Sequence, residues 1–74
     1  MNLLKLTEFE VESISPISYT VIFDNREHKN KWHIEFSGDQ QAILSDLSRN
    51  PLMFITEHAA IEYCSARWSS LPMI

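Results

Sequence analysis

The segment from residue 51 to residue 70 constrains the fold of this chain most, because it has the pattern of one uninterrupted helix. Asn50 is a good N-cap residue, and Pro51 suits the first helical position, where its missing amide proton needs no partner. The sequence PLMFITEHAAIEYCSARWSS contains no Gly, and the next Pro is Pro72. We therefore predict a single long helix over residues 51–70.

This helix carries apolar side chains on two sides. At about 100° per residue, two stripes form on nearly opposite faces. One stripe is narrow and partly lined by small side chains: Leu52, Ile55, Ala59, Tyr63 and Ala66. The other is larger and more aromatic: Met53, Phe54, Ile61, Cys64 and Trp68. Because small side chains permit close contact, we expect the Ala59/Ala66 stripe to approach a sheet and the Trp68 stripe to face outward.

Alternation of apolar and polar residues predicts a hairpin earlier in the chain. Residues 32–37 alternate without error, and residues 17–23 repeat the pattern, so each segment is typical of a half-buried strand. The polar stretch DNREHKNK between them forms a long loop. The two segments are therefore expected to pair.

A third strand is expected upstream, where Phe9 and Val11 alternate with three glutamates. The Ser15-Pro16 pair supplies a turn toward the next strand. Leu4 and Leu6 have the opposite parity, which predicts a bulge or a strand start near Thr7. The inner face of the resulting meander would carry Phe9, Val11, Tyr19, Val21, Phe23, Trp32, Ile34 and Phe36.

In residues 37–49, the spacing of apolar residues changes from that of a strand to that of a helix, which predicts a short helix. Ser37 and Gln40 have the spacing of a capping box, and Ile43, Leu44 and Leu47 share one helical face. The predicted fold class is α+β: a three-stranded antiparallel β-meander followed by a short and a long α-helix packed on one face (βββαα).

Size and composition indicate one small globular domain over residues 1–74. The chain is 45% hydrophobic and 22% charged, which is ordinary for a folded protein. Its single Cys excludes an internal disulfide framework, and no run approaches the ~18 apolar residues of a membrane span. Glu8 interrupts the N-terminus before a signal-peptide core could form. A cytoplasmic protein without membrane association is expected.

The outward stripe indicates self-association. A chain of 74 residues has a marginal core, and the short helix looks too small to cover a helix of twenty residues. We expect a homodimer, or contact with another protein, through Met53, Phe54, Ile61, Cys64 and Trp68. The alternative is a monomer in which the short helix and the tail Leu71, Met73 and Ile74 fold back over the stripe.

The residues that carry chemistry are few. Phosphate-binding, zinc-protease and nucleophile-elbow motifs are absent, and Gly38 is the single glycine. His58 and Glu62 form a helix pair, whereas Cys64 lies about 120° from His58 around the axis, which disfavours a nucleophile with its base. His33 and Glu35 share a strand face without a third metal ligand. We expect no enzyme, no metal and no cofactor.

Charge disfavours nucleic acid as a partner. The net charge is −4, although Arg26, His28, Lys29 and Lys31 form a candidate anion-contacting loop. The expected function is a small non-enzymatic protein-interaction or regulatory module that self-associates through residues 51–70. The alternative is a nucleic-acid-associated protein, of two kinds. One is an acidic nucleic-acid mimic using Glu8, Glu10 and Glu12, and the other is a weak binder through the 26–31 loop.

Overall fold

The computed structural model describes residues 3–24 and 31–74 and confirms the α+β class. Within these residues, four strands form one mixed sheet, and one α-helix packs on it. The elements are β1 (Leu4–Leu6), β2 (Ser18–Asp24), β3 (Lys31–Ser37), β4 (Gln41–Leu44) and α1 (Glu57–Arg67), with a turn of 3₁₀ helix at Val11–Ile14. The strand order across the sheet is β1-β4-β3-β2.

The predicted hairpin is confirmed. Strands β2 and β3 pair in antiparallel fashion, with Tyr19 opposite Phe36 and Val21 opposite Ile34. Period-2 alternation places these four side chains on the face that α1 covers, because successive side chains of a strand point to opposite faces.

The predicted short helix at 37–49 is wrong, and β4 takes its place. Strand β4 pairs with β3 in antiparallel fashion and with β1 in parallel fashion. The run Ala42-Ile43-Leu44 is buried, whereas Leu47, predicted to share a helical face with Ile43, is 83% exposed. A short apolar run fits either a buried strand or a helix, and pairing on both sides favours the strand.

The predicted strand at residues 8–12 is also wrong. A turn follows Thr7: the Glu10 amide donates to the Thr7 carbonyl at 2.9 Å, and the Thr7 amide donates to Glu10 Oε1 at 3.0 Å. The 3₁₀ helix then buries Val11 but leaves Phe9 80% exposed. The strand of this region is β1, which lies before Thr7, so the three-stranded meander becomes a four-stranded mixed sheet.

The predicted helix at 51–70 begins six residues late. Thr56 is the N-cap, and its Oγ1 accepts from the Ala59 amide at 3.0 Å. Before it, Phe54 exchanges two backbone hydrogen bonds with Trp32, at 2.7 and 2.8 Å, and Pro51 bridges to Ser45. Strand β4 is too short to reach Trp32, so the extended segment 51–54 supplies the partner that those backbone groups need.

The expected orientation of the helix is reversed. Ala60 and Cys64 are fully buried against the sheet, whereas Ala59 and Ala66 are exposed. Small side chains do permit close contact with the sheet, but they are those of Ala60 and Cys64 and not those of Ala59 and Ala66. The core comprises Val11, Ile14, Tyr19, Ile34, Phe36, Ala42, Leu44, Ala60 and Cys64.

The segment 72–74 returns to the sheet beside β2. The Tyr19 amide donates to the Pro72 carbonyl at 3.1 Å, and the Ile74 amide donates to the Tyr19 carbonyl at 2.9 Å. Met73 therefore lies beside Tyr19 in parallel orientation. In the part of the chain that is described, no helix has the length and apolar character needed to cross a membrane.

Candidate functional site

The residues predicted as an interface do not form one outward surface. Cys64 is completely buried, so a partner cannot reach it. The Trp68 ring packs on Phe36 at 4.9 Å between centroids, and the Phe54 ring packs on Tyr63 at 5.2 Å. Met53 and Ile61 are half-buried. The predicted stripe is therefore largely used inside the subunit, because α1 turns that side toward the sheet.

Burial makes the Cys64 thiol unreactive. Removal from water raises the pKa of Cys64 to about 12, although the nearby Arg67 charge acts in the opposite direction. Because the thiolate is the reactive form, we expect a thiol reagent to label native Cys64 at least about a hundredfold more slowly than the denatured chain.

A matched thiol on the same helix provides the control. Ser65 is exposed, so a Ser65→Cys variant should label rapidly in the native state while Cys64 remains silent. Equal labelling rates for the two thiols would contradict the buried position of Cys64. Labelling followed by mass spectrometry of the peptides distinguishes them.

Among the described strands, none pairs with the outer edge of β2. Tyr19 directs its amide and carbonyl away from β3, toward the segment 72–74. Because backbone groups alternate along a strand, Val21 and Phe23 direct theirs to the same side. Across residues 3–24 and 31–74, no backbone partner is found for Val21 or Phe23 on that side. Two consecutive outward positions of this edge therefore have no backbone partner in the described part of the chain.

Apolar side chains lie along the same edge. Phe23 is 47% exposed and Met73 is 49% exposed, while Ile74 reaches 79%. The Phe23 ring contacts Trp32 edge to face, with 5.1 Å between centroids. The edge of β2 therefore combines unpaired backbone groups with exposed apolar surface, which together are typical of a strand that pairs with another chain.

The opposite edge of the sheet is protected. Strand β1 has only three residues, and the outward carbonyl of Lys5 accepts from Arg49 Nη1 at 3.1 Å. Arg49 also forms a two-pronged ion pair with the Glu10 carboxylate. This Arg49 contact, aided by the Thr7 amide, lowers the pKa of Glu10 to about 2. Short length and a capping charge discourage strand addition at β1.

The three glutamates predicted to form an acidic row are dispersed by the turn. Glu10 pairs with Arg49, and Glu8 pairs with Arg67 at the end of α1. Because residues 8–12 do not form a strand, the regular spacing of carboxylates that resembles a nucleic-acid backbone is lost. Two of the three charges are neutralised within the molecule.

His33 lies between two carboxylates on the sheet face away from α1. Its Nε2 is 2.7 Å from Glu35 Oε2, and its Nδ1 is 3.4 Å from Asp24 Oδ2. His33 is 4% exposed, and within residues 3–24 and 31–74 its Nδ1 has no hydrogen-bond partner. Among the residues whose structure is described, no group of three potential ligands is arranged to hold a metal ion. His58 and Glu62 form the predicted ion pair on the exposed side of α1.

The predicted anion-contacting loop is described only at its end. Arg26, His28 and Lys29 lie outside the described residues, whereas Lys31 begins β3 opposite Asp24.

The open edge of β2 was missed by the sequence reasoning, because alternation identifies a strand but not its neighbours. No local signal marks β2 as the outer strand. No protein-family model, curated protein or solved structure matches this chain.

Proposed function

We propose that this chain is a small, non-enzymatic protein-interaction module that self-associates through the outer edge of β2. The observation that supports the proposal best is the pair of outward backbone positions at Val21 and Phe23, which lack a partner in the described chain. An added strand would satisfy these groups, and backbone hydrogen bonds supply affinity in this mode of recognition.

A second copy of the chain is a suitable occupant. The same edge on both copies gives an isologous contact about a two-fold axis, which is the commonest geometry of soluble oligomers. The edge sequence from Ser18 to Phe23 contains no charged residue, so antiparallel self-pairing brings no like charges together along it. It also lacks the Lys or Pro that commonly protects exposed edges.

The predicted helix interface retains one residue near this edge. Ile61 lies about 160° around α1 from Tyr63. Tyr63 contacts Phe54, which lies beside the β4 side of β3, so Ile61 is directed toward β2. This side chain is half-buried, so part of it remains accessible. Self-association therefore remains the proposal, with its centre moved from the helix to the strand.

The nucleic-acid alternative has less support. The acidic mimic required a strand at Glu8, Glu10 and Glu12, and two of these carboxylates are paired with arginines. A weak binder would depend on a loop whose residues, except Lys31, lie outside the described part. Among the described residues, no contact favours either form over strand pairing.

The test is sedimentation equilibrium of the wild type and of Phe23→Lys at tens of micromolar. We expect the wild type to associate and the variant to be monomeric, because a lysine on the edge removes apolar area and adds mutual repulsion. Phe23 is half-exposed, so the variant should remain folded, which circular dichroism verifies.

Phe9→Lys is the matched control. It makes the same chemical change at a phenylalanine that is 80% exposed and lies outside the edge of β2. The control should associate like the wild type. A monomeric wild type, or equal loss of association in both variants, would refute the proposal.

A further inference from the structure

A second feature, separate from the edge of β2, is an open groove between the turn at residues 8–12 and the end of α1. It has a volume of about 330 Å³ and is lined by Glu8, Phe9, Glu12, Arg67 and Trp68. Trp68 packs against Phe36 in the core while still lining the groove. The Phe9 ring is not used by the core, since it is 80% exposed. Two aromatic side chains and two carboxylates therefore share one concave surface.

Arg67 also lines the groove and contacts two of its neighbours, while its side chain remains 41% exposed. Arg67 pairs through Nε with Glu8, and its guanidinium carbon lies 3.7 Å from the centre of the Tyr63 ring. The Arg67 contact lowers the pKa of Glu8. A carboxylate beside an aromatic ring thus already holds a cation here. Glu12, which is exposed, has no ion-pair partner among the described residues.

We propose that the groove binds a small quaternary ammonium group, with Phe9 and Trp68 contacting its methyl groups and Glu12 supplying the opposite charge. Aromatic faces attract cations through the ring quadrupole, and quaternary ammonium ions suit them because they carry no donors that need water. The net charge of the groove is negative, because Glu8 and Arg67 form an ion pair and the Glu12 carboxylate remains.

The experiment is a titration of the whole protein with choline, followed by ¹H–¹⁵N NMR at the Trp68 indole and the Phe9 amide. We expect saturable shifts at both groups. The matched ligand is 3,3-dimethylbutan-1-ol, which has the shape of choline without its charge. It should bind about tenfold more weakly, because the cation–π and carboxylate contacts are lost.

Variants test the assigned roles. Glu12→Gln and Phe9→Leu should each weaken choline binding several-fold, whereas Glu57→Gln, a matched change at the start of α1, should leave it unchanged. A trimethyllysine peptide distinguishes two sources of the quaternary ammonium group. Tighter binding of the peptide than of choline indicates a group carried by a protein, and equal binding indicates a free small molecule. Absence of saturable shifts, or equal binding of the neutral alcohol, would overturn the proposal.

Discussion

Replacing Phe36 with Ala is expected to lower the free energy of unfolding by about 3–5 kcal/mol, the range for removing a buried aromatic ring. Phe36 is 1% exposed near the end of β3 and packs edge to face against Trp68. A domain of this length has a total stability of roughly 4–11 kcal/mol. The substitution should therefore remove a large part of the total stability. Urea denaturation followed by far-ultraviolet circular dichroism measures the change.

Phe9→Ala is the matched control for this experiment. It truncates the same side chain where the ring is 80% exposed, so its effect on stability should stay within about 0.5 kcal/mol. If Phe36→Ala loses no more stability than Phe9→Ala, Phe36 does not occupy the core. That result would also mean that α1 does not pack over β3.

After Phe36→Ala, we expect Gly38→Ala to cause the next largest loss of stability. Gly38 lies in the turn between β3 and β4, where that turn meets the end of the 3₁₀ helix. A methyl group on its Cα would lie 2.4 Å from the Ile14 carbonyl oxygen and 2.8 Å from that of Ser15. These are backbone atoms and cannot rotate away. The chain needs glycine here because of this close approach.

The expected cost of Gly38→Ala is about 1–3 kcal/mol, typical of overpacking. Relief of the clash would also strain the hydrogen bond from the Asp39 amide to the Ile14 carbonyl, which is 2.7 Å long. Gln40→Ala, at an exposed position of the same turn, is the control and should unfold at nearly the wild-type urea concentration. Identical midpoints for the two variants would show that the turn does not approach Ile14.

Local patterns were sufficient for the central hairpin. Alternation over residues 17–23 and 32–37 identified two paired strands, and Tyr19, Ile34 and Phe36 are core residues as expected. In these two strands, successive side chains point alternately toward α1 and toward the other side of the sheet. Period 2 therefore identifies the two strands, but it predicts neither the 47% exposure of Phe23 nor the burial of His33.

Pairing between distant segments explains the main errors. Strand β1 pairs with β4, about forty residues later, and no local pattern links Leu4 with Ala42. The same nonlocal sheet turns residues 42–44 from a predicted helix into a strand. It also holds Phe54 in an extended conformation against Trp32. Tertiary hydrogen bonds override the favourable helix start at Asn50-Pro51.

The true start of the helix did leave a local signal. Thr56 is a good N-cap residue, and Glu57 places a negative charge in the first turn. This signal was not used in predicting the start at Asn50-Pro51, and local sequence alone does not rank the two positions. With residues 51–56 outside the helix, α1 buries the side that carries Ala60 and Cys64.

The most direct measurement of the proposed contact is amide hydrogen exchange at Val21 and Phe23 at increasing protein concentration. The Tyr19 amide, which donates to Pro72, and the Ile22 amide, which faces β3, serve as references that do not depend on association. We predict that Val21 and Phe23 exchange rapidly in dilute solution and become protected as the concentration rises. Rapid exchange of both amides at concentrations where the protein sediments as a dimer would contradict pairing through β2.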